Sequence, residues 1–276
     1  MPALIFDCDG VLADTEMHGH LPAFNQTFRE FGVPVQWSTS EYGEKVKIGG
    51  GKERMRSEFT PDLAARWSEF PADDQAVDEL ITAMHRRKTA LYTGLVDSGA
   101  LEPRPGVARL VGEADAAGWL LAVASTSAEP SVRAVLRRAV GERIAERFSV
   151  FAGDIVPHKK PAPDIYLHAL AALGVAAKDA VVVEDSGIGV RAARAAGIPT
   201  VVTVSAYTGE DDFADAALVL SSLGDVAAHE PLRVIASAVA SAPRGELHLG
   251  DIAPPRLSTS PAPAAFTHAT PADGGS

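Results

Sequence analysis

A chain of 276 residues exceeds the ~150 of one ordinary domain, which points to one large domain or to a core with an added lid. Hydrophobic residues make up 46% and charged residues 22%, a globular balance, and the net charge of -11 repels nucleic acid and anionic membrane surfaces at long range. An anionic ligand would therefore need local positive charge in its own site. The one cysteine, Cys8, excludes an intrachain disulfide and fits a reducing compartment. No apolar run approaches the ~20 residues of a membrane span, and MPALIFDCDG lacks the basic start of a signal peptide. The expectation is a cytoplasmic protein with a small-molecule ligand and no nucleic-acid or membrane partner; protein partners are not legible.

In chain order, Ala3–Phe6 reads as a buried strand. From 16 to 96 no clear strand appears. Leu21, Phe24, Phe28 and Phe31 recur at helical spacing, and so do Val77, Leu80, Ile81, Met84 and Leu91, with His85-Arg86-Arg87-Lys88 interrupting the second pattern. This stretch reads as a helical subdomain inserted after the first strand. Helices then alternate with strands: Val107–Ala117, Leu120–Ala124, Ser131–Val140, Val150–Phe151, Pro163–Leu173, Val181–Val183, Ile188–Ala196, Thr200–Val204 and Leu218–Leu220. Gly118, Gly141, Gly174 and Gly197 follow the four helical patterns as C-caps. Such alternation, with unbroken apolar strands, argues for an α/β core of 1–15 and 97–232 built on a parallel sheet covered on both faces. In 243–276 six prolines fall among Ala, Ser, Thr and Gly, which reads as a disordered tail.

Polar residues follow the apolar strands: Asp7-Cys8-Asp9 the first, Ser125 the next, Glu184-Asp185 the Val181–Val183 strand. In an open parallel sheet the carboxyl ends of the strands share one edge, so these groups converge there. Two residues apart, Asp7 and Asp9 face the crevice while Cys8 turns to the core. D-x-D by itself also fits an Asx turn, a metal loop or solvated surface. Gathered with Glu184 and Asp185, however, buried carboxylates repel one another unless a cation intervenes, and an all-oxygen set suits Mg²⁺. Ser125-Thr126-Ser127 precedes a helix and offers hydroxyls and free N–H groups to an anion, although Ser127 fits an ordinary N-cap as well. Lys160, just before the Pro163–Leu173 helix, would complete the local positive charge.

Four segments, Asp7-Cys8-Asp9-Gly10-Val11-Leu12-Ala13-Asp14-Thr15-Glu16, Ala124-Ser125-Thr126-Ser127, Lys160-Pro161-Ala162-Pro163-Asp164-Ile165-Tyr166 and Val183-Glu184-Asp185-Ser186, resemble in order the four motifs of the haloacid dehalogenase-like hydrolases. The resemblance implies a modified Rossmann-like parallel sheet with an α-helical cap between the first two motifs. It implies Asp7 as nucleophile, Asp9 as general acid and base, Ser125 as phosphate-binding hydroxyl and Lys160 as stabilising cation. Mg²⁺ would be held by Asp7, the Asp9 carbonyl and Asp185, with Glu184 in support.

In the inserted segment, Ile48-Gly49-Gly50-Gly51-Lys52-Glu53-Arg54 is not a P-loop, since Glu53 follows Lys52 and no strand precedes it. Bare backbone at Gly50 and Gly51 with Lys52 and Arg54 suits a second anionic group; the plainer alternative is a mobile loop with solvated charges. With Gly19-His20, Ala23-Phe24-Asn25, His85-Arg86-Arg87-Lys88-Thr89 and Lys159-Lys160-Pro161, this stretch is similar to the CbbY group, phosphatases of xylulose 1,5-bisphosphate. That likeness implies that Glu16, His20, Gly50, Gly51, Lys52, Arg54, Thr126 and Ser127 contact a sugar bisphosphate. Leu21-Pro22 departs from it, standing where a basic residue is expected after the histidine. The motifs are shared by mutases of the β-phosphoglucomutase type, and the scaffold by proteins that only bind phosphometabolites.

Overall fold

The computed structural model describes residues 1–253. Seven strands form one sheet: β1 (Ala3–Phe6), β2 (Leu120–Ser125), β3 (Phe148–Ala152), β4 (Ala180–Glu184), β5 (Thr200–Thr203), β6 (Leu218–Leu220) and β7 (Val234–Ser237), in the order β3-β2-β1-β4-β5-β6-β7. Every neighbouring pair is parallel except β6 and β7. Alternation with period two divides the central strands between two cores. Leu4, Phe6, Val123, Val181 and Val183 face one side, while Ala3, Ile5, Ala122, Ala124 and Val182 face the other. Both faces need cover, which is why these strands are apolar throughout.

Between β1 and β2 come a π-helical turn (Glu16–His20) and helices α1 (Leu21–Glu30), α2 (Thr39–Lys45), α3 (Gly51–Arg56), α4 (Pro61–Arg66), α5 (Asp74–Asp97) and α6 (Val107–Ala116). α7 (Glu129–Val140), α8 (Glu142–Ala145), α9 (Asp164–Leu173), α10 (Gly187–Ala195) and α11 (Leu249–Ile252) follow. α6 and α7 cover the first face through Leu110, Val111, Val132 and Val135; α9 and α10 cover the second through Ile165, Ala169, Ala192 and Ala193. The helices from α1 to α5 enclose a core of their own, in which Phe24, Phe28 and Tyr42 pack against Trp37 tilted or edge to face. Ser38, Thr60 and Asp73 cap α2, α4 and α5 with their side chains.

Three expectations change. α5 runs unbroken through His85–Lys88, because the 3.6-residue period turns Lys88 inward and leaves Arg87 outside on Glu30. The sheet gains β7 beyond residue 232; its mostly exposed side chains and antiparallel pairing give it no buried apolar run to detect. The assigned tail begins with ordered chain: Leu247 and Ile252 are fully buried, and Leu247 N–H donates to Leu223 O (2.8 Å). Two large apolar side chains are invisible in the average composition of 243–276. The remainder of that assignment lies outside the described residues. No described helix is long and apolar enough to cross a membrane.

Candidate active site

Strand order sets β1 between β2 and β4, so the residues at their carboxyl ends lie side by side. Asp7 follows β1, Ser125 ends β2, Glu184 ends β4 and Asp185 follows it. The Asp7 N–H donates to Val183 O (2.9 Å), extending the ladder by one residue and fixing the carboxylate beside Glu184. Lys160 enters from the loop after β3. Its ammonium donates to Asp7 Oδ1 (2.6 Å), Glu184 Oε1 (2.7 Å) and Ala124 O (2.9 Å), using all three donors. Tyr166 on α9 adds a hydrogen bond to Glu184 Oε1 (2.6 Å), and Asp185 N–H and Ser186 Oγ each donate to Oε2 (3.2 Å). Glu184 is thus fully buried and fully partnered, an anchor for Lys160 more than an open ligand.

Crowding perturbs the remaining carboxylates. Burial lifts Asp7 to about 7 against the pull of Lys160, with Glu184 and Asp9 adding repulsion. Burial also pushes Asp185 well above the usual carboxylate range, helped by Glu184 and Asp7. Next to Asp7 in the chain, Cys8 is buried in the core and its thiol is pushed up by the same desolvation. Asp7, Glu184 and Asp185 each bring a carboxylate oxygen within 4.8 Å of the others. Three carboxylates against one ammonium leave uncompensated negative charge, and hard oxygen donors fit Mg²⁺.

Asp9 points the other way. Oδ1 accepts from Thr15 Oγ1 (2.6 Å) and His20 Nε2 (2.7 Å), and Oδ2 accepts from Ser127 Oγ. Burial raises its pKa, but His20 and these hydrogen bonds outweigh that and hold the carboxyl well below the usual range. Its carboxylate is therefore committed between the inserted helices and the loop after β2, and only its carbonyl is left for the metal expectation. Behind it, Lys88 Nζ donates to His20 Nδ1 (2.6 Å), which leaves Nε2–H to donate to Asp9. His20 stacks on Tyr92 at 4.0 Å, and burial lowers Lys88 to about 8.

Asp7, Asp9, His20, Lys88, Ser125, Lys160 and Asp185 line a cavity of roughly 300 Å³ between the sheet edge and the helices above it, together with Glu16, Gly50, Gly51, Arg54, Thr126 and Ser127. Ser127 is not the N-cap of α7, a place held by Ala128; its hydroxyl goes to Asp9 and its N–H to Ser125 Oγ (3.1 Å). Arg54 binds Glu16 (3.3 Å) and the Tyr42 hydroxyl (2.9 Å), and Tyr42 itself donates to Glu16. The glycines serve close approach instead of mobility. A Cβ at Gly49 would lie 2.8 Å from Lys160 O, one at Gly51 2.8 Å from His85 Nε2, and Gly50 has φ +102°.

Lys52 is not brought into the cavity. It pairs with Asp154 (2.6 Å), and Lys159 joins Asp154 (2.9 Å) to Glu53 (2.8 Å), an ion quartet across the junction with the core. At 100° per residue, Lys52 and Arg54 on α3 stand about 200° apart and cannot serve one pocket. Lys88, Tyr166, Tyr42 and Ser205 carry no assignment from sequence. Lys88 had a signal: it falls four residues after Met84 on the buried stripe of α5. Tyr166 sits in an apolar helical run and reads as core.

The sequence profile of the haloacid dehalogenase-like hydrolases matches residues 1–197. A CBBY-like protein of Arabidopsis thaliana is 47% identical over 224 residues, which is 81% of this chain and 69% of that protein. Protein CbbY of Cupriavidus necator is 44% identical over 238 residues, 85% of this chain and 90% of that one. The crystal structure of a CbbY mutant from Rhodobacter sphaeroides in complex with xylulose 1,5-bisphosphate superposes with a TM-score of 0.71 at 40% identity, covering 82% of this chain and 98% of that one. The chain belongs to the haloacid dehalogenase-like hydrolases. Within them it is a phosphatase of the CbbY type.

Proposed function

We propose that this phosphatase hydrolyses a sugar bisphosphate, xylulose 1,5-bisphosphate foremost, through an aspartyl-phosphate intermediate with Mg²⁺. The observation that carries the reading is the Lys160 ammonium shared between Asp7 and Glu184 on the floor of a cavity whose other wall holds Arg54 and Lys88. Anion-stabilising charge is present at both ends, as two phosphates require. The bisphosphate bound by the CbbY relative agrees with it.

Asp7 attacks phosphorus with the oxygen that Lys160 leaves free; the ester P–O bond breaks and the alkoxide departs. Lys160 and the N–H and hydroxyl groups of Ser125–Ser127 stabilise the phosphoryl oxygens. Mg²⁺ held by Asp7, Asp185 and the Asp9 carbonyl, with Glu184 in support, would supply neutralising charge to the same oxygens. Asp9 protonates the leaving alkoxide and later takes a proton from the attacking water, which releases phosphate and restores Asp7. Since Asp9 is held ionised, it must first receive a proton, and the hydrogen-bonded His20–Lys88 pair is the donor within reach. Glu16 and Arg54 contact the sugar and its distal phosphate from the cap; Lys52, bound to Asp154, is left without that role.

The test is phosphate release with Mg²⁺ from a panel of xylulose, ribulose and fructose bisphosphates and their monophosphates. A bisphosphate should lead in kcat/KM. Equal rates on monophosphates would remove the bisphosphate assignment, and conversion of β-glucose 1-phosphate to glucose 6-phosphate without phosphate release would mean a mutase.

A further inference from the structure

Arg104 lies where the chain returns from the inserted helices to the sheet. Its N–H donates to Leu12 O (3.0 Å), and Pro103 bridges Ala13. Among the described residues its guanidinium makes no ion pair and instead gathers four backbone carbonyls. Nη1 donates to Gly10 O and Thr203 O (3.1 Å), and Nη2 to Val204 O (2.7 Å) and Ser221 O (2.8 Å). Withdrawing a guanidinium partly from water to serve carbonyls alone is costly unless their placement matters. Two of these segments flank Asp185. Gly10 packs so close that a Cβ there would lie 2.1 Å from Asp185 Oδ2. Val204 leads into Ser205, whose hydroxyl donates to the same Oδ2 (2.6 Å) and is held by Thr208 Oγ1 (3.0 Å).

We propose that Arg104 is a positioning residue for the metal-binding carboxylate of Asp185, acting through the Gly10 and Val204 carbonyls and through the Ser205 hydroxyl. By holding Oδ2, Ser205 fixes the orientation of a carboxylate that brings an oxygen within 4.8 Å of those of Asp7 and Glu184. The planar five-donor fork of arginine holds the three strand ends at once; a lysine ammonium has three donors on a flexible stem and cannot span them. This inference rests on the reading of Asp7 and Asp185 as metal ligands.

Mn²⁺ titration of the full-length chain, followed by electron paramagnetic resonance, tests it beside thermal melts. Arg104→Lys and Ser205→Ala should each weaken Mn²⁺ binding about tenfold, in the range seen for groups that orient metal ligands. The double variant should lose little beyond the weaker single, because both act on one carboxylate. KM for the sugar phosphate at saturating metal should stay within about twofold of wild type. A folded Arg104→Lys with wild-type Mn²⁺ affinity, or independent losses that multiply to about a hundredfold in the double variant, would overturn the proposal. Should Arg104→Lys fail to fold, Ser205→Ala decides: unchanged Mn²⁺ affinity there overturns it equally. A wild-type chain that binds no Mn²⁺ removes the metal reading itself, and this inference with it.

Discussion

The two walls of the cavity are built differently. On the sheet side, Asp7 and Lys160 face the cavity from a strand end and from the loop after β3, with Glu184 and Tyr166 behind them, and each finds its partner within the core. Sheet register sets Asp7 beside Glu184. On the helical side, Arg54 satisfies Glu16 and Tyr42, and Lys88 satisfies His20, so pairs are made between helices and reach the core through Asp9 and the ion quartet. In the proposed reaction the covalent chemistry falls to the sheet wall, while charge supply and recognition fall to the wall made of separately packed helices. Sites demanding the tightest geometry belong on the element that is hardest to deform.

Substitutions on each wall can break or sharpen that contrast. Asp7→Asn should lower turnover by about 10³-fold or more with the fold kept, since no other carboxylate stands at its place. Residual activity above a few per cent would place the nucleophile elsewhere. Next, Lys160→Met strands Asp7 and Glu184 as buried negative charges. It should destabilise the metal-free protein by about 3–5 kcal/mol, read by urea unfolding, with part of the loss restored by Mg²⁺. A smaller loss would show that water reaches the sheet wall.

On the helical wall, Lys88→Met should cost about 10–100-fold in kcat while inorganic phosphate still competes with wild-type affinity. It should also reshape the pH profile. Lys88 is charged below about 8, so wild-type kcat should fall as pH rises through that value, and the variant should lose that alkaline limb. An unchanged limb would detach Lys88 from proton supply. Smallest of all, Lys52→Ala should cost under about threefold on bisphosphate and monophosphate alike, and less at high salt, because a half-exposed ion pair is screened. A selective loss on bisphosphate would mean that Lys52 exchanges Asp154 for substrate.

The same division explains what could be read in advance. The sheet wall was legible because its residues follow apolar strands, and strand order alone carries Asp7, Ser125, Glu184 and Asp185 to one edge. The helical wall was only half legible. Motif picks out His20, Glu16 and Arg54, but it groups Lys52 with Arg54, whereas Lys52 lies on Asp154, and it gives Lys88 no role. Which face of a helix meets the core depends on tertiary packing that local periodicity registers only as a stripe. β7 and the ordered start of the C-terminal segment escaped for a related reason, since each depends on a docking partner instead of its own pattern.

The position of Cys8 has a practical side. The chain's one thiol is shut between two aspartates in the core, with its ionisation suppressed. Maleimides and similar reagents need an accessible thiolate, so the native protein should be silent to them. Cysteines introduced at exposed points of α4 and α8 can then carry a donor and an acceptor dye with no background. The separation of the two walls becomes an observable for fluorescence in a chain that needs no prior cysteine removal.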